Sequence, residues 1–173
     1  MNLQSNDFEL FGFAPRFLQD SAAIDARWKE LQREVHPDKF STQDAALQRA
    51  ALQWSVRINQ AYQRLKDPLK RAAYLCELHG AAVNAENNTA MSGAFLQQQM
   101  QWREELDETN EAVALSELAA QVATAHHQLL QQCEALLDQQ QDYKEAVQRV
   151  RALMFVERFA RDVNARLEQM ETP

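Results

Sequence analysis

Only 3 glycines and 4 prolines occur in 173 residues, too few turn-formers for a sandwich or barrel of many short strands, so a mostly helical chain is the default. No stretch approaches 18 consecutive apolar residues, and Met1 to Asp7 shows neither a basic n-region nor an Arg-rich amphipathic pattern. No membrane-spanning, signal or transit segment is therefore expected, and the expected location is the cytoplasm. Cys76 and Cys133 are the only cysteines, with no Cys-x-x-Cys pair. That removes ribbon-type zinc, thioredoxin-like redox and cluster-ligating motifs and predicts two free buried thiols in a reducing compartment.

What is present is the composition of a folded globular protein, 46% hydrophobic and 25% charged. The net charge of -7 is uneven: residues 1–76 carry 11 Lys+Arg against 9 Asp+Glu, and residues 77–173 carry 7 against 16. A pI near 5.1 argues against bulk nucleic-acid binding. The asymmetry suggests two halves with different partners.

Ile24, Trp28, Leu31 and Val35 recur at helical steps over residues 21–36, with Asp20 or Ser21 as N-cap and Pro37 as the stop. Leu47, Ala51, Trp54, Ile58, Ala61 and Leu65 follow a strict 4-3-4-3-4 spacing in a second helix from about Asp44 to Lys66, with Ser41 and Asp44 in a capping arrangement. Two narrow seams joined by the short segment 36–43 should pack as an antiparallel hairpin, with that segment at its tip. Trp28, Trp54, Phe11, Leu31, Ile58 and Leu65 are the expected core. A shorter helix follows at Pro68 to Leu78, with Gly80 just after its end.

Residues 80–92, holding Asn84, Asn87, Asn88 and Thr89, lack apolar periodicity and mark a boundary. Beyond it the spacing predicts three long helices, about Gly93–Glu108, Glu111–Gln139 and Tyr143–Met170. An antiparallel three-helix bundle is the simplest way to bury their seams. The expected organisation is thus residues 1–76, a linker over 77–92, and a bundle over 93–173.

His36-Pro37-Asp38 is informative chiefly through its position. It opens the loop of a helical hairpin, after a helix whose exposed face carries Lys29, Arg33 and His36 at i, i+4 and i+7. A cationic face then leads to an exposed carboxylate. By residue type alone, His36 serves equally as a helix-end residue, Asp38 as the start of a turn, and Lys29 with Arg33 as a solvated face.

With Asp7-Phe8-x-Leu10-Phe11-Gly12 upstream and Ile58-Asn59-x-Ala61-Tyr62 downstream, this constellation resembles the J-domain of co-chaperones that serve DnaK-type chaperones. Leu10-Phe11-Gly12-Phe13, His36-Pro37-Asp38-Lys39-Phe40, Arg71-Ala72-x-Tyr74-Leu75 and Arg103-Glu104-Glu105-Leu106-Asp107-Glu108 extend the resemblance to the HscB family of iron-sulfur cluster assembly. It implies an all-α fold, with a J-domain at 1–76 that docks on the ATP-bound chaperone of HscA type and promotes its hydrolysis. In that role Pro37 would preset the loop, and Asp38 would accept a charge-assisted hydrogen bond from a chaperone arginine with His36 beside it. Lys29, Arg33, Arg27 and Lys39 would supply complementarity to an acidic surface. The chaperone, not this chain, holds the ATP, so no enzymatic activity and no cofactor is expected here.

On the helix 93–108, Phe95, Trp102 and Leu106 form one stripe, expected in the core, while Leu96 and Met100 form a second on its flank that Glu104 extends. On the last helix Phe155 and Phe159 fall outside the Val156, Ala160, Val163, Leu167 seam, Phe155 being the better candidate for exposure. The resemblance implies that the bundle binds the cluster scaffold IscU through Leu96, Met100, Glu104 and Phe155, with Gln97 and Gln101 alongside. Gln97 and Gln101 stand where other members carry Met and Glu, which makes the patch less apolar and less acidic at those points. Leu96, Met100 and Phe155 could equally widen the core seam. His126, His127 and Cys133, or Cys76 with His79, do not supply a four-ligand set at metal spacing, so no metal is expected. The other reading of the chain is a general J-domain co-chaperone whose bundle holds different clients or dimerises.

Overall fold

The computed structural model describes residues 2–39, 44–84 and 91–171. Among them are seven α-helices and no strand: α1 Asp7–Phe11, α2 Ser21–Val35, α3 Ala45–Lys66, α4 Pro68–Leu78, α5 Gly93–Glu108, α6 Ala112–Glu134 and α7 Tyr143–Glu171. They fall into two compact units, Met1–Leu75 and Cys76–Pro173.

In the first unit α2 and α3 form the antiparallel hairpin that their periodicity predicts. Asp20 caps α2 by accepting from the N–H groups of Ala22 and Ala23, and Asp44 caps α3 by accepting from Ala46 and Leu47. The Ser41 end of the expected capping arrangement lies outside the described residues. Ile24, Leu31 and Val35 are buried on α2, and Ala51, Ile58, Ala61 and Leu65 on α3. The seam is narrower than its spacing implied: Leu47 is exposed, and Trp28 and Trp54 are only half-buried. An indole N–H needs a partner, and Trp28 meets its own at the half-wet rim of the seam.

Helix α1 has five residues, far below the length at which a helix stands alone in water. Its ends are closed locally by a reciprocal cap between Asn6 and Glu9 and by Gly12, whose φ of 74° is a left-handed conformation suited to glycine. Its interior contacts hold it in place, since Phe8, Leu10 and Phe11 are buried. Asp7 is fully buried between Arg57 and Arg64 of α3. Arg64 Nη2 donates to Oδ1 at 3.0 Å. The Arg64 Nε–Oδ2 approach at 2.6 Å and the Arg57 Nη1–Oδ1 approach at 2.7 Å lack hydrogen-bond alignment, so attraction there is Coulombic rather than directional. The Asp7 N–H donates to the Tyr74 hydroxyl at 3.0 Å, and the Arg64 guanidinium lies over the Tyr74 ring at 4.3 Å. Buried Arg71 donates to the carbonyls of Phe17 and Leu65, closing the loop between α1 and α2 onto the hairpin.

In the second unit α5 and α6 are joined by Thr109 to Glu111, and α6 packs along α7. Phe95 meets Phe155 and Arg103 meets Asp162, so α5 and α7 run the same way, whereas α6 runs antiparallel to α7, with Gln132 beside Gln148 at one level and His126 paired with Glu157 at another. The core gathers Trp102, Leu106, Leu115, Leu118, Val122, Val156, Phe159 and Val163. Instead of continuing as α-helix to Gln139, α6 widens into a π-helical turn, Ala135–Gln140, which Gln141 ends in the left-handed region at φ 53°. The widened turn leaves Leu137 buried. Cys76 and Cys133 are buried here, and burial pushes their thiols up to about 11 and about 12. Arg151 donates to the Val83 carbonyl at 2.8 Å, fastening the segment after α4 to α7.

Asp7→Ala leaves Arg57, itself largely buried, without a counter-charge. Urea denaturation of the variant is expected to show a loss of about 3 kcal/mol, the usual consequence of removing one partner of a buried ion pair. Asp38→Ala on the exposed loop should leave the unfolding free energy within ~0.5 kcal/mol of the parent.

Candidate functional site

Helix α2 ends at Val35 because Pro37 bars the α conformation at His36, which takes φ -57° and ψ 129°. Pro37–Lys39 then form a single 3-10 turn, closed by the Lys39 N–H donating to the His36 carbonyl at 3.0 Å. The Asp38 N–H donates to His36 Nδ1 at 3.3 Å, and the same nitrogen is 3.4 Å from Asp38 Oδ2. Unprotonated, Nδ1 accepts from the backbone; protonated, it faces the carboxylate. The bond from the Asp38 N–H ties the imidazole to the backbone of the turn, and the Asp38 side chain is 89% exposed. The result is a preset acceptor at the tip of a hairpin.

Lys29, Arg33 and Lys39 are exposed, and none of them forms an ion pair among the described residues. Arg27 differs, with Nη1 lying 3.1 Å from Glu30 and 3.8 Å from Glu34, so its charge is partly spent within α2. The cationic face leading to Asp38 therefore rests on Lys29 and Arg33.

What orients that face is a polar ladder between α2 and α3. Asn59 Oδ1 accepts from Trp28 Nε1 and from Gln32 Nε2, both at 2.8 Å, and Ser55 Oγ donates to Gln32 at 3.0 Å. Trp28 stacks on Tyr62 with ring centroids 4.9 Å apart. At the far end Asp25 accepts from the Tyr62 hydroxyl at 2.9 Å and from Lys66 Nζ at 2.6 Å. The Lys66 hydrogen bond, then that from Tyr62, holds the Asp25 carboxyl below its ordinary 3.8, while the same bond to Asp25 raises the Tyr62 phenol above its ordinary 10.0. These contacts fix the rotation of α2 about its axis, and hence where Lys29 and Arg33 point.

On the second unit Leu96, Met100 and Glu104 are exposed along one line of α5, Met100 being 67% accessible. Gln97 and Gln101 are exposed beside them, Gln101 donating to Glu105 at 3.4 Å. Phe155 is half-buried: its ring meets Phe95 edge-on at 5.8 Å and stacks on Phe159 at 6.1 Å. Phe159, expected outside the seam, is wholly buried and stacks on Trp102 at 5.5 Å. Because α7 packs against both α5 and α6, its apolar arc is wider than a single seam. No group of three or more His, Cys, Asp or Glu that could hold a metal occurs among the described residues.

The family model described as the HSCB C-terminal oligomerisation domain matches residues 91–164. A co-chaperone protein HscB homolog of Bordetella petrii is 46% identical over 159 residues, covering 91% of this chain and 94% of that protein. One from Burkholderia multivorans is 43% identical over 175 residues, covering 99% of each. The chain belongs to the HscB family, the J-domain co-chaperones of iron-sulfur cluster assembly. Among solved structures, chaperone HscB from Vibrio cholerae aligns with a TM-score of 0.84 at 32% identity, over 96% of this chain and 99% of that one. Human co-chaperone HscB aligns at 0.89 with 25% identity, over all of this chain and 85% of that one.

The ladder behind the basic face adds Asp25 and Gln32, which no motif marks, and gives a role to Asn59, which the motif contains. Their signal was the step of 3 and 4 that places Asp25, Trp28 and Gln32 on one side of α2, facing Asn59 and Tyr62 of the quoted motif. Asp25 has its carboxyl lowered on folding, so its stabilising contribution is present above the unfolded value of 3.8 and fades as pH falls through the folded value. Asp25→Asn is therefore expected to melt lower than the parent at pH 7, with the two melting curves converging below pH 3.8.

Proposed function

We propose that this chain links two partners: an HscA-type chaperone of the DnaK class, whose ATP hydrolysis its first unit stimulates, and an IscU-type scaffold, which its second unit recruits. The observation that carries this reading is the preset, solvent-facing Asp38 carboxylate at the end of the Lys29 and Arg33 face. A carboxylate on a backbone turn already set by Pro37 and the hydrogen bonds to His36 loses little backbone freedom on meeting a guanidinium, and the flanking cations steer an acidic surface toward it. His36, Pro37 and Asp38 form the contact, Lys29, Arg33 and Lys39 give complementarity, and Arg27 contributes less because Glu30 and Glu34 hold it.

Leu96, Met100 and Glu104 form the scaffold patch, with Gln97 and Gln101 at its side and Phe155 as its half-buried support. Exposed apolar groups aligned on one helix face, rimmed by acid, are the usual form of a protein contact. Carrying both sites on one chain raises the effective concentration of scaffold at the chaperone as hydrolysis is triggered. The chain itself performs no chemistry, holds no cofactor and works in the cytoplasm; no helix among the described residues is long and apolar enough to cross a membrane.

The description of the matched family model as an oligomerisation domain supports a second reading of the bundle, self-association as in a general J-domain co-chaperone. Sedimentation velocity distinguishes the two, since a scaffold-recruiting monomer sediments faster only when scaffold is added.

Steady-state ATP hydrolysis by the chaperone, with and without scaffold, tests the coupling. Asp38→Asn is expected to lower stimulation by about thirtyfold or more, as loss of one partner of a charge pair at an interface does. Scaffold affinity by calorimetry should stay at the parent value. Loss of both functions in that variant would place the two partners on one surface.

A further inference from the structure

The surface of α2 is ordered by charge around its axis. At about 100° per residue, the ladder of Asp25, Trp28 and Gln32 is followed by the basic line of Lys29 and Arg33, and that by a second line, Glu30 and Glu34. Both carboxylates are more than half exposed and share a single cation: Arg27 Nη1 is 3.1 Å from Glu30 and 3.8 Å from Glu34. Two carboxylates against one guanidinium leave this line with a net negative charge. Arg33 is a helical neighbour of Glu30 at i, i+3, yet it forms no ion pair among the described residues. The basic and acid lines therefore stand side by side without being joined.

Helix stability does not account for the second line. Glu34 lies in the last turn of α2, where the helix dipole disfavours a carboxylate, and its 3.8 Å separation from Arg27 is too long for a hydrogen bond. Arg27 precedes Glu30, the less favourable order of charges along a helix. Neither carboxylate caps α2, whose N-terminus is closed by Asp20. Their effect falls instead on whatever approaches Lys29 and Arg33. Residues three or four apart on a helix stand about 5–6 Å apart at Cβ, inside the Debye length of about 8 Å at physiological salt. A surface that touches the basic line thus also feels the acid line.

We propose that Glu30 and Glu34 are specificity-determining residues for the chaperone. A narrow acidic strip opposite Lys29 and Arg33 docks unopposed, whereas an acidic surface that spreads across the width of α2 brings like charges over Glu30 and Glu34 and is repelled. The chain therefore serves a chaperone of the DnaK class whose acidic surface is narrow and turns away one whose acidic surface is broad. This inference rests on the reading of Lys29 and Arg33 as chaperone contacts, and it adds which member of the class they accept.

The test titrates the full chain into two chaperones, the HscA-type partner and a general DnaK, and reads the concentration that gives half-maximal stimulation of ATP hydrolysis, with thermal melts to check that each variant is folded. The parent is expected to require more for DnaK than for the HscA-type partner. Glu34→Gln removes one negative charge while Glu30 still holds Arg27. It is expected to lower the requirement for DnaK about threefold and that for the HscA-type partner less than about twofold. In the Glu30→Gln, Glu34→Gln double variant the gain for DnaK should reach about tenfold at low salt and vanish near 1 M, where the Debye length is about 3 Å. Equal requirements in the parent, or gains that are absent or shared equally by the two chaperones, overturn the proposal. So does a gain confined to the double variant, which is the signature of a released Arg27. The Lys29→Glu, Arg33→Glu double variant reports on the underlying reading by itself. Lost stimulation of the HscA-type partner there, with parental behaviour in both glutamate variants, removes the discrimination and leaves the chaperone contact standing. Parental stimulation there removes the contact, and the discrimination with it.

Discussion

The Asp7 carboxylate, fully withdrawn from water between Arg57 and Arg64, is the contact on which the first unit is built. A five-residue helix has no stability of its own, and this one brings Phe8 and Phe11 to the open side of a hairpin whose apolar seams are narrow. Without α1 the exposed flank of Ile58, Ala61 and Leu65 would face water. The ion pairs contribute position more than net energy, because desolvating three charges offsets most of their attraction. Phe8 and Phe11 supply the burial, and Asp7 sets the register at which they enter.

The same division between burial and positioning recurs in the ladder from α2 to α3. Ile24, Leu31 and Val35 hold the helices together, but an apolar seam tolerates rotation of one helix about its axis by a fraction of a turn. Asn59, accepting from two donors at 2.8 Å, does not. Hydrogen bonds with fixed geometry therefore decide where Lys29 and Arg33 emerge, and Pro37 decides where the helix stops and Asp38 turns outward. The basic face is exposed, and its placement comes from half-buried polar groups one layer beneath.

Much of this was legible in the amino-acid order. The ends of α3, α4 and α5 follow from Asp44, Pro68, Gly80 and Ser92, because caps and breakers act locally and leave a mark at fixed positions. The exposure of Leu96 and Met100 was also readable, since both fall off the Phe95, Trp102, Leu106 stripe. Phe159 and the π-helical turn were not. The first depends on α7 being covered from two sides, which no spacing within α7 records. Nor does the apolar spacing of α6 mark the second, since Cys133 and Leu137 stand at the ordinary helical step of 4. The burial of Asp7 was equally hidden, because its two arginines lie 50 and 57 residues away in sequence.

The acidic excess of residues 77–173 takes on a more specific meaning once the bundle is folded. Of its seven cations, Arg103 is paired with Asp162, Arg166 with Asn110, and Arg151 is buried against a backbone carbonyl. Each of these is committed to holding the bundle together. On α5 this leaves Glu104, Glu105, Asp107 and Glu108 at the C-terminal end, beyond the exposed Leu96 and Met100. A partner surface that is basic where it meets this end is drawn toward Leu96 and Met100, and an acidic one is repelled. Charge then selects which surface approaches, and the apolar pair supplies affinity.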